Sequence, residues 1–136
     1  MFCHMLRVVM YGPDAEENSR VRELLEDLIW SMQLKPVFHE FTGELKPFLT
    51  FVQRNPYLVM LIVQSGPEGL ETVRLEKKAN SEARLVWFSK EDYALASYEL
   101  RLTFFGLLPV NRKKAVSALR ACWWERPFPP VPFTLV

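Results

Sequence analysis

Cysteine is nearly absent: only Cys3 and Cys122 occur in 136 residues, too few for a disulfide framework. Charge of one sign is missing as well, since 17 Lys and Arg against 16 Asp and Glu leave a formal net charge of +1. So balanced a chain sets up no strong field toward nucleic acid or an anionic membrane. No signal peptide or membrane-length apolar run is visible, which leads to the expectation of a reduced, cytoplasmic compartment without membrane contact. The turn Tyr11-Gly12-Pro13-Asp14 lacks the glycines of a phosphate-cradling loop, which weakens any flavin or nucleotide reading. No Gly-x-Ser-x-Gly elbow is present, and neither His4 nor His39 has an evident Ser or Cys partner for nucleophilic catalysis. Cys3, His4, His39 and Cys122 have zinc-binding atoms, but their spacing matches no usual site and they fall on unrelated elements. No enzyme activity, cofactor or metal is expected.

What is present is a core. Hydrophobic residues make up 49% of the chain and charged ones 24%, the balance of one globular domain. The organising stretch is Tyr57-Leu-Val-Met-Leu-Ile-Val63, bounded by Pro56 and by Gln64-Ser-Gly-Pro67. It is too short to span a membrane and too apolar for a half-exposed strand, so it reads as a central parallel strand covered on both faces. Ligand chemistry in such sheets gathers at the C-terminal ends of strands, here Val63, an inert side chain.

Leu6 to Tyr11 reads as a first strand stopped by Gly12-Pro13. Asp14 and Asn18 are candidate N-caps for a helix carrying Val21, Leu24, Leu25, Leu28, Ile29 and Met32, with Pro36 ending that region. Val37 to Phe41 alternates like a strand near a sheet edge. Leu45, Phe48, Leu49 and Val52 mark a second helix, with Pro47 tolerable in its first turn. After the central strand, residues 66–69 read as a loop and Leu70 to Lys78 as a weaker helix with Leu70 and Val73 inward. Arg84 to Phe88 is a fourth strand, Lys90 to Tyr98 a short helix, and Leu102 to Leu108 a fifth strand. Asn111 caps a last helix with Ala115, Val116, Leu119 and Cys122 on one face. This alternation predicts an α/β, flavodoxin-like, doubly wound parallel sheet of order 2-1-3-4-5 with helices on both faces.

Three stretches carry a resemblance. Phe41-Thr-Gly-Glu-Leu with Asn55-Pro56-Tyr57, Asp92-Tyr93-Ala94-Leu95 through Tyr98-Glu99, and Phe105-Gly-Leu-Leu-Pro109 together resemble the receiver domain of bacterial response regulators, in the branch that precedes LytTR-type DNA-binding domains. The resemblance spans residues 6–124 and rests on pattern and order. It implies acidic residues after the first strand for Mg²⁺, a phosphoacceptor Asp ending the third, a hydroxyl ending the fourth, and a Lys before the proline after the fifth.

Carried over position by position, that set is missing. The acidic pair falls on Gly12-Pro13, with Asp14 just beyond and better suited to an N-cap. The phosphoacceptor falls on Val63, or Gln64 with a one-residue slip; the lysine falls on Leu108. The hydroxyl position is Phe88 without a gap and Ser89 with one. Such a chain is expected to be a degenerate pseudo-receiver, a phosphorylation-independent signalling, interaction or dimerisation module of a transcriptional regulator. The alternatives are a flavodoxin-like enzyme or small-molecule binder, with a pocket near Gly12, Val63 and Ser89, and a conventional phosphorelay receiver with displaced acids.

By the same resemblance Tyr93, Tyr98 and Phe105 lie on the dimer or effector surface, Phe105 where the family has an aromatic that changes rotamer. A protein partner, with a homodimer foremost, is expected there, and DNA contact only through a separate domain. Arg112, Lys113 and Lys114 read as a solvated basic face, mildly unfavourable at a helix N-terminus. The receiver-like domain is placed at 1–124. Residues 125–136 follow as an apolar tail, with four prolines from Arg126 onward that rule out a continued helix.

Overall fold

The computed structural model describes residues 5–55 and 59–125, for 123–125 the backbone only. Five parallel strands alternate with five helices: β1 (Met5–Tyr11), α1 (Ala15–Ser31), β2 (Lys35–Phe41), α2 (Leu45–Gln53), β3 (Val59–Val63), α3 (Gly66–Ala79), β4 (Arg84–Ser89), α4 (Ala94–Glu99), β5 (Phe104–Leu107) and α5 (Arg112–Glu125). The strand order is β2-β1-β3-β4-β5, as the alternation predicts.

The two-residue period of the strands divides the core into two layers. Leu6, Val8 and Met10 of β1, Val59, Leu61 and Val63 of β3, and Val86 and Phe88 of β4 pack under α1 and α5. Val9, Tyr11, Met60, Ile62, Leu85 and Trp87 point the other way, under α2 and α3. All five residues of β3 are buried, which is why that strand shows no polar alternation.

Four expectations shift at their boundaries. Pro36 does not close the first helix but lies inside β2, an edge strand, where a missing N–H is tolerated. The helix has already ended near Gln33, whose φ is 63°. Gly66-Pro67 is not loop but the first turn of α3, where proline's lost donor costs nothing. The short helix begins at Ala94 because Lys90 and Glu91 are engaged in bonds between loops, described below. The fifth strand is trimmed to Phe104–Leu107. Asn18 is no N-cap either: Asp14 has that role, accepting from the Glu16 and Glu17 amides at 3.0 and 3.2 Å. Asn111 caps α5 through the Lys114 amide at 2.8 Å. Cys3, His4, Tyr57 and the tail from 126 onward lie outside the described residues.

Candidate functional site

The C-terminal ends of β1, β3, β4 and β5 converge where Gly12, Pro13, Val63, Ser89 and Leu108 meet, and the chemistry there is apolar or internally satisfied. Val63 is 1% exposed and belongs to the core layer under α1 and α5. Leu108 packs partly buried against the same layer, and its amide donates to the Ser89 carbonyl at 2.9 Å. Gly12 is buried, and a Cβ there would run into Asn18 Oδ1 and the Val63 carbonyl. The Asn18 amide donates to the Gly12 carbonyl at 2.9 Å, so this side chain fills the space between the ends of β1 and β3. Pro13 and Asp14 are exposed, with the Asp14 carboxylate committed to the start of α1.

Phe88 faces the core at 0% exposure, whereas Ser89 ends β4 with a hydroxyl that donates to Glu91 Oε1 at 3.2 Å. The same Glu91 oxygen accepts the Gly66 amide at 2.7 Å, at the N-terminus of α3. Ser65 Oγ accepts the Lys90 amide at 2.9 Å, and the Gln64 carbonyl accepts the Trp87 indole N–H at 2.8 Å. These bonds fasten the loop after β3 to the loop after β4. The polar groups that reach this edge bind one another, with Asn18 Oδ1 lacking a partner among the described residues.

Trp87 connects this edge to the aromatic face. Its ring stacks on Tyr93 with centroids 5.1 Å apart and meets Phe105 edge-on at 5.2 Å. Tyr93 and Phe105 are therefore half-buried partners of a fully buried indole, while Tyr98 stands 83% exposed on α4. Leu95, one turn earlier, is 73% exposed, and Leu107 of β5 is also exposed. Of the basic residues opening α5, Lys114 is not simply solvated: its ammonium donates to the Leu107 and Pro109 carbonyls at 2.7 and 3.0 Å.

Sequence reasoning missed Trp87 and Glu91, and it gave Asn18 and Gln64 other roles, as a helix cap and as an alternative phosphoacceptor position. Trp87 could have been found as the largest side chain of a strand-like run; the others act through contacts between loops distant in sequence. His39 rests against the Phe51 ring on the α2 side, opposite the layer that holds Cys122, so these two do not meet. Burial first, and then the Arg7 charge, hold the His39 pKa below its usual value. No group of three or more metal-ligating side chains occurs among the described residues.

A five-stranded parallel sheet of this order, with helices on both faces and a strand-end cluster at its C-terminal edge, is the flavodoxin-like architecture. Solved structures that share it include response-regulator receiver domains. One is a two-component response regulator of the LuxR family from Aurantimonas sp. SI85-9A1, with 16% identity, a TM-score of 0.67, and coverage of 90% of this chain and 88% of that one. Another is the signal receiver domain of the response regulator NarL from Mycobacterium tuberculosis, with 19% identity, a TM-score of 0.64, and coverage of 90% and 99%. An orphan response regulator of Helicobacter pylori is similar at 16% identity and a TM-score of 0.61, over 88% of this chain and 98% of that one. No family model and no curated protein sequence matches the chain. The likeness is thus one of fold, the receiver fold. Among the described residues no helix is long and apolar enough to cross a membrane.

Proposed function

We propose that the chain is a degenerate receiver of the LytTR-type regulator branch that works without phosphoryl transfer, pairing with a second copy of itself through the α4–β5 face. The observation that carries this reading is Val63: a strand-end side chain 1% exposed and packed in an apolar layer can neither accept a phosphoryl group nor ligate Mg²⁺. Around it, Gly12 and Pro13 offer no carboxylate, Leu108 offers no charge, and Asp14 is occupied as a cap. The polar groups at the edge are spent on each other, which disfavours both an enzyme and a displaced phosphorelay site.

The pairing surface follows from exposure. Leu95 and Tyr98 lie three residues apart on α4, so they share a face, and both are mostly exposed. Glu99 and Arg101 follow, both exposed, and offer opposite charges that a two-fold arrangement can match across the axis. In this reading the module sits in the cytoplasm, serves a transcriptional regulator, and reaches DNA only through a separate domain.

Two measurements test it. Incubation with acetyl phosphate and Mg²⁺ should leave the intact mass unchanged, and a stable gain of one phosphoryl group would refute the pseudo-receiver reading. Sedimentation equilibrium should find a dimer that Tyr98→Glu dissociates; a monomer at high concentration would remove the self-pairing.

A further inference from the structure

At the end of α3 remote from Val63, the buried side of the helix carries a residue out of pattern. Gly69, Thr72, Val73 and Glu76 are its buried positions, a spacing that asks for an apolar side chain at 76. Glu76 is 0% exposed, and neither of its carboxylate oxygens has a hydrogen-bond partner among the described residues. Thr72, one turn earlier, does have partners: its one hydroxyl proton is shared between Gln64 Oε1 at 2.7 Å and the Glu68 carbonyl at 3.0 Å. A buried carboxylate with neither oxygen bonded is rare and points to a missing companion.

The surroundings define that companion. A cavity of ≈ 260 Å³ is lined by Glu76 together with Val52, Gln53, Ala79 and Asn80. Gln53 is the last residue of α2 and Asn80 the C-cap of α3, so two helices bring their C-terminal ends to one space. Helix C-termini carry partial negative charge and favour cations. Arg74, Lys77 and Lys78 are the cations nearest Glu76 in sequence and Arg54 follows Gln53, and none of the four is hydrogen-bonded to Glu76. One carboxylate and two amides are too few hard donors for a calcium ion, which takes about 6–8 oxygens. A primary ammonium fits better. Its three N–H donors match two carboxylate oxygens and one amide oxygen, and a short alkyl stem can lie on Val52.

We propose that this cavity binds a small primary alkylammonium ion, with Glu76 as its counter-ion. A turn of the carboxylate toward the cavity would break no hydrogen bond among the described residues. The site is independent of the pairing face on α4.

The test uses the full chain and n-butylammonium chloride, with n-butanol and tetramethylammonium chloride as controls at matched ionic strength. Amide shifts of Gln53, Ala79 and Asn80 are followed by NMR. The alkylammonium should give saturable shifts at pH 8, and neither control should. Burial pushes the Glu76 carboxyl up to about 7, so affinity should fall about tenfold between pH 8 and pH 6 as the counter-ion takes up a proton. Glu76→Gln keeps the shape and should abolish saturable binding. Absence of saturation at pH 8, equal binding by butanol, or undiminished binding to the Gln variant would each overturn the proposal. Should that variant not fold, the pH dependence of the native chain decides alone.

Discussion

Replacing Glu76 with Gln should stabilise the protein by an amount that grows with pH. Burial raises the carboxyl from 4.5 to about 7, with desolvation as the cause. At about 1.4 kcal/mol per pH unit, holding the ionised group inside the fold costs about 3 kcal/mol at pH 8. The direction follows from which state keeps the proton. Between about pH 4.5 and 7 the folded chain retains it while the unfolded chain has released it, so stability falls as pH rises through that window. Above the window both states are ionised and the loss is complete. Gln cannot titrate, so it escapes the loss while keeping the volume. In urea and thermal unfolding the variant should lead by about 3 kcal/mol at pH 8, or about 10 °C in Tm for a chain of this size. At pH 5 the lead should shrink to less than about 1 kcal/mol. A gap that does not change between pH 5 and pH 8 would refute the reasoning, because it would mean that the carboxylate is solvated or paired.

Three further outcomes follow from the geometry. Gly12→Ala should cost about 1–3 kcal/mol in urea unfolding, because the added methyl meets Asn18 Oδ1 and the Val63 carbonyl; an unchanged midpoint would show that the edge is open. Trp87→Phe removes the indole bond to the Gln64 carbonyl and should cost about 1–3 kcal/mol, with loss of near-ultraviolet circular dichroism from the Tyr93 stack. Arg7→Ala should raise the His39 pKa in an NMR titration but leave it below 6.5, since burial is the larger cause of its depression.

The order and direction of the strands were legible because each apolar run is short and either continuous or alternating, and all but the fourth are punctuated by Gly or Pro. Boundaries failed where one residue serves two grammars. Pro36 looks like a helix stop, yet an edge strand accepts it; Pro67 looks like a loop, yet the first turn of a helix accepts it. The positions gathered at the strand ends were legible by counting from those strands, and the structure does bring Gly12, Val63, Ser89 and Leu108 to one edge. What fills that edge was not legible. Asn18 and Glu91 are ordinary polar residues in the sequence, and only the crossing of loops makes one a plug and the other a tie. Glu76 escaped notice for the opposite reason: a charged residue in a helical pattern reads as solvent-facing until its burial is known.

An open sheet has two unfinished borders, and here each is guarded in its own way. The β2 border carries Lys35, Pro36, His39 and Glu40, with Glu40 tied to Arg22 at 3.3 Å, so an incoming strand would meet a missing donor and fixed charge. The β5 border is only four residues long. Strand-to-strand growth into a continuous sheet between molecules is therefore discouraged at both sides. Association through side-chain surfaces, such as the proposed α4–β5 face, has a natural end, whereas growth through the sheet backbone would have none.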